Sequence, residues 1–120
     1  MSTNTPHDIR IAKLTFAEVF PHYLSKIEKK GRTKLELLEV IKWLTDFEES
    51  DLEQLILTKV SFDVFFNMAK LNPKSELITG VICGYRVEEI KNKLTRNIRC
   101  LDKLVDELAK GRKLEKIMRS

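Results

Sequence analysis

The chain has 120 residues, 42% of them hydrophobic and 33% charged, with 22 Lys/Arg against 18 Asp/Glu and a net charge of +4. That length fits one domain able to hide roughly two-thirds of its unfolded surface without metal or disulfide staples, and the apolar share excludes a disordered chain. Two cysteines are too few for a disulfide framework, the first fifteen residues lack a secretory signal's apolar stretch, and no apolar run approaches the roughly 18 residues of a membrane span, so the expected location is the cytoplasm.

In chain order, residues 1–14 read as a flexible polar arm, 15–111 as a helical domain and 112–120 as a basic C-terminal segment. Thr15 with Glu18, Thr33 with Glu36 and Ser50 with Glu53 each fit a capping box, in which the hydroxyl accepts from an early backbone N–H and the Glu reaches back. The first predicted helix runs from about Phe16 to Lys30, with Phe16, Phe20, Tyr23, Leu24 and Ile27 on one face. Pro21 is expected to kink it or delay its start, and Gly31 supplies a left-handed stop behind Lys29 and Lys30.

A second helix after Thr33 buries Leu37, Val40, Ile41, Leu44 and Phe47, and a third after Ser50 buries Leu52, Leu55 and Ile56. A short fourth after Ser61 turns Phe62, Phe65, Phe66 and Ala69 inward, and Asn72-Pro73 starts a fifth as a cap followed by a first-turn proline. Residues 78–84 suit either a short strand, from their β-branched residues, or a helix stopped at Gly84; helix is the expectation, with Cys83 buried in it. The last helix carries Leu94, Ile98, Leu101, Leu104, Val105 and Leu108 as one stripe ended by Gly111, and Cys100 as a second buried thiol. Its seam covers only about two heptads, so packing into the domain's own core is preferred to a dimeric zipper. The fold expected is an all-α orthogonal bundle of five or six helices in a single domain.

The stretch from Ile78 to Ile90, the pair Ile98-Arg99 followed by Leu101 to Gly111, the loop Lys29 to Lys34, and Trp43-Leu44-Thr45 together resemble the bacterial family called domain of unknown function 2200. The resemblance covers nearly the whole chain beyond the N-terminal arm. Where the family tends to have Asp-Pro this chain has Asn92-Lys93, which implies a helix break near Asn92, and Cys100 stands where the family has an aromatic. The family implies no activity, ligand or partner.

Several clusters are candidates for chemistry. Lys30, Gly31, Arg32, Thr33 and Lys34 put basic side chains around the first N–H groups of a helix, an arrangement suited to an anion. A cationic helix end, a Gly stop and a Thr cap explain the same residues, and the Gly-rich phosphate loop pattern is missing. Tyr85, Arg86, Glu88 and Glu89 read either as a pocket beside Cys83 and two glycines or, preferably, as a buried Arg–carboxylate pair closing two helices. Arg96, Arg99, Arg112, Lys113 and Lys116 offer a basic surface, although interleaved Asp102, Asp106 and Glu107 blunt it and no aromatic accompanies it to stack bases. Nucleic acid is thus a possible partner but not the favoured one.

The two histidines, His7 and His22, stand apart from any nucleophile in sequence, and no zinc spacing or dinucleotide fingerprint occurs. Glu48-Glu49 and Glu88-Glu89 are adjacent pairs that do not share a helix face. The reading is a small non-enzymatic binding module with an anionic partner, without cofactor or metal and with its oligomeric state open. The alternative is a small enzyme or small-ligand protein with a pocket around Cys83, Tyr85, Arg86 and Glu88.

Overall fold

The computed structural model describes residues 5–119. Seven α-helices are present among them: α1 (Pro6–Ala12), α2 (Phe16–Glu28), α3 (Lys34–Thr45), α4 (Glu49–Leu57), α5 (Phe62–Met68), α6 (Lys93–Ala109) and α7 (Leu114–Ile117). Between α5 and α6 lie 3₁₀ turns at Pro73–Leu77 and Val87–Glu89 and a hairpin of β1 (Val81–Ile82) and β2 (Tyr85–Arg86). The bundle expected from the sequence is therefore present, as one body with a radius of gyration of 13.6 Å, matching the roughly 14 Å of one compact domain of this length. Among the described residues no helix is long and apolar enough to cross a membrane.

Helix α6 is the axis. α1, α2, α3, α5, α7 and the hairpin all pack on it, so Ile98, Leu101, Leu104, Val105 and Leu108 are buried in the domain's own core rather than left as a zipper seam. All six phenylalanines join a second part of that core. Phe16 stacks on Phe65 at 4.6 Å, and Phe20, Phe47, Phe62 and Phe66 pack around this pair. Each fully buried ring contributes on the order of 1.5–3 kcal/mol.

The box at Thr33 forms as expected, its hydroxyl accepting from the Glu36 N–H and Glu36 accepting from the Thr33 N–H; at Thr15 the hydroxyl accepts from the Glu18 N–H, but Glu18 accepts from that hydroxyl, so only half of the expected box is present. The third start differs: Asp51 accepts from the Glu48 N–H at 2.9 Å, so α4 is capped at Glu48, two residues before the expected Ser50 cap. Pro21 lies inside α2, neither ending it nor delaying its start. The first N–H of α2 instead finds Val60, while Leu14 accepts from Phe62, which ties the entrances of α2 and α5 together.

Three segments correct the sequence expectations. The expected arm contains α1, capped reciprocally by Thr5 and Asp8 and anchored through buried Ile11; residues 1–4 and 120 of the terminal segments lie outside the described residues. Asn72-Pro73 opens only a 3₁₀ turn, because Asn72 and Lys70 use their N–H groups on the last carbonyls of α3, holding this stretch against that helix end. Residues 78–84 are not helical. Cys83 and Gly84 both have left-handed backbone (φ 52° and 82°), forming a two-residue turn that pairs Ile82 with Tyr85. Cys83 is consequently exposed at the hairpin tip rather than buried. The basic tail carries α7, whose Ile117 is fully buried.

Candidate functional site

The loop Lys30–Lys34 and the tail Arg112–Lys116, far apart in sequence, meet at one end of the molecule. Arg32 makes the junction. Its guanidinium donates to the carbonyls of Arg112 at 2.8 Å and Leu108 at 3.4 Å, and grips Glu36 at 2.8–3.2 Å. Arg32 thereby reaches the end of α6, where the Gly111 and Arg112 N–H groups close the last turn on the Leu108 and Glu107 carbonyls. Lys26 adds a second tie, to Asp106 at 3.3 Å.

Within the loop, the site expected at the helix start is already filled by the chain itself. Glu36 accepts from the Thr33 N–H at 3.0 Å. Hydrogen bonds from Arg32 first, and Thr33 second, hold its carboxyl below the ordinary value, so it is a resident anion there. Lys30 and Lys34 remain exposed on either side of Gly31 and Arg32, and in the tail Arg112, Lys113 and Lys116 are exposed. Residues 26–36 and 106–119 together carry ten Lys/Arg and five Asp/Glu. Three of those acids are bonded inside the assembly: Glu36 to Arg32, Asp106 to Lys26 and Lys110, and buried Glu107 to Arg112 and Arg119. Among the described residues no ion pair engages Lys29, Lys30, Lys34, Lys113 or Lys116. The rest of the chain carries twelve basic against thirteen acidic residues, so the whole positive excess sits at this end.

The N-terminal half of α6 belongs to a different surface. Arg99 is only 9% exposed, not a surface residue as expected, and Arg96 is half-buried. Both Nε atoms are buried without a partner. The Arg99 guanidinium reaches Asp102 at 3.0 Å and His7 Nε2 at 3.1 Å, and lies 5.6 Å from the centre of the Tyr85 ring. Asp102 also accepts from buried Tyr23; desolvation, then the Asp102 charge, push that phenol well above its usual range. His7 stacks on Tyr85 at 5.9 Å. Thr5, His7, Asp8, Tyr85, Arg86, Glu89, Ile90, Thr95 and Arg99 thereby line a cleft of about 460 Å³.

The cleft includes part of the expected pocket. Tyr85, Arg86 and Glu89 line it, whereas Glu88 turns to the hairpin base, accepting from the Gly80 N–H at 3.0 Å. Arg86 and Glu88 approach only to 3.7 Å, with both side chains substantially exposed; the buried pair expected between two helices is a loose surface contact. His7, Asp8 and Thr95 were not legible as site residues. The cap pattern Thr5-Pro6-His7-Asp8 was available to find α1, but nothing local joins residue 7 to residues 85 and 99.

Cys83 is exposed and Cys100 is buried. Burial pushes the Cys100 thiol up to about 11, and among the described residues no hydrogen bond joins either thiol to a histidine. Nor do the described residues contain a group of three or more His, Cys, Asp or Glu side chains able to hold a metal ion.

Over residues 10–119 the chain matches the family model for an uncharacterized protein conserved in bacteria, domain of unknown function 2200. It is also similar to the crystal structure of uncharacterized protein SP1917, with 37% identity and a TM-score of 0.85 over 98% of this chain and 93% of that one. No curated protein matches it.

Proposed function

The chain belongs to the bacterial family domain of unknown function 2200, whose function is unknown, and we propose that it is a small non-enzymatic module that binds a polyanionic partner through its basic end. The observation that carries this reading is the Arg32 junction, which fixes two basic segments of remote sequence on one surface. Exposed lysines held at fixed spacing attract a chain of negative charges more strongly than the same lysines scattered, and release of its counterions drives association. A cytoplasmic location fits the two free thiols.

Fluorescence anisotropy tests it, with labelled single-stranded and duplex oligonucleotides and labelled polyglutamate as probes at low and near-physiological salt. The expected result is a dissociation constant of roughly 10⁻⁴–10⁻⁶ M for at least one probe, weakening steeply with salt. Lys30→Glu with Lys113→Glu should remove most of it. Lys74→Glu with Lys91→Glu changes net charge equally away from the basic end and should leave most of it. Equal losses in the two variants, or no binding at low salt, would refute the proposal.

A further inference from the structure

The cleft at the opposite part of α6 has a different charge character. Arg96 and Lys110 are fourteen residues apart, about 21 Å along the helix, so the cleft is not an extension of the basic end. We propose that it is a binding site for a small zwitterion, an α-amino acid with an apolar side chain, its carboxylate on Arg86 and Arg99 and its ammonium on Glu89.

Arg86, in extended backbone, precedes the 3₁₀ turn Val87–Glu89 as its cap and Glu89 ends that turn. Both residues line the cleft. They do not close on each other: the ion pair Arg86 makes is the loose one with Glu88. An unclosed pair of opposite charges in one cleft has room for a molecule that answers both.

Arg99 supplies the second donor and is already oriented. A guanidinium has five N–H groups. Asp102 accepts one and His7 another, and Nε is buried without a partner; one N–H on each terminal nitrogen remains. Tyr23, donating to Asp102, holds this arrangement from the core side. Asp8 is the other carboxylate in the cleft, but its oxygens are largely occupied by Thr95 and Thr5. Glu89 is therefore the seat left for a cation. Phosphate or a plain carboxylate would satisfy the arginines and leave Glu89 facing a like charge. The exposed part of the Tyr85 ring and Ile90 give the ligand's side chain an apolar wall, and the volume is in the range of small-molecule sites.

The test uses the full chain and three probes: L-phenylalanine, 3-phenylpropionate without the amine, and phenethylamine without the carboxylate. Titration followed by amide NMR shifts should show saturable binding of phenylalanine with the largest changes around Tyr85 and Thr95, and each analogue at least tenfold weaker. Glu89→Gln should make phenylalanine and 3-phenylpropionate bind alike. Arg86→Ala should weaken both at least tenfold with an unchanged melting temperature, since Arg86 is on the surface. Equal binding of phenylalanine and 3-phenylpropionate by the natural chain, saturation at residues remote from the cleft, or no saturable shift at millimolar phenylalanine would each overturn the assignment.

Discussion

Glu107 is a charged side chain at the rim of the core, 6% exposed, and it is tolerated because Arg119 and Arg112 donate three hydrogen bonds to its two oxygens at 2.8–2.9 Å. Removing one partner of a buried pair leaves charge uncompensated. Arg119→Ala should therefore cost about 3 kcal/mol in urea unfolding followed by Trp43 fluorescence. Cys100 makes a second prediction at this scale. Burial holds its proton up to about 11, against 9.0 for a free thiol, so the folded state retains a proton that the unfolded chain releases. Stability is full below about pH 9 and falls between pH 9 and 11 by about 2–3 kcal/mol from this group. Cys100→Val should flatten that part of the unfolding free energy plotted against pH; an unchanged slope would mean the thiol is not its source.

At the scale of elements, helices were legible where a cap and an apolar stripe agreed, as at Thr15 and Thr33. The hairpin was not, because its strands are only two residues long and show no alternation to count. Its turn needs two left-handed residues, and Cys83 is a poor choice for the first. Cys83→Asn suits that conformation and should stabilise by about 0.5 kcal/mol, read as a raised urea midpoint at unchanged slope. The caps of α1 and α3 bear on acid stability. Hydrogen bonds from Thr95, and then Thr5, depress the Asp8 carboxyl, and those from Arg32, and then Thr33, depress Glu36. Their contribution is present above the unfolded carboxylate values, near 4, and is lost as pH falls through the lower folded values. Melting temperature should hold from pH 7 to about 5 and drop below about 4; Glu36→Gln should reduce that drop.

For the whole molecule, one arginine decides whether the two basic segments act as a unit. Arg32 bridges Glu36 to two carbonyls at the end of α6, a task for a planar fork and not for a single ammonium. Arg32→Lys keeps the charge but should lower stability by about 1–3 kcal/mol and weaken polyanion binding. Equal affinity to the natural chain would show that charge alone, not its arrangement, governs binding. The same scale explains why the basic run from Arg96 to Lys116 was misleading as a stripe. Helix α6 is wrapped by neighbours, so Arg99 faces the cleft, Lys103 donates to the Val81 carbonyl and only the distal residues join the basic end.

By itself the sequence determined the helical class, the core positions of α2, α3 and α6, and the positive balance of the second half, because periodicity, caps and charge are local quantities. Tertiary structure decided what those charges do. Arg99 and Arg112 look alike in sequence; one is packed beside His7 and Tyr85 and the other lies exposed near Lys113. That difference arises from which helix face the neighbouring elements cover, and covering depends on contacts between residues up to 92 positions apart, which no local pattern encodes.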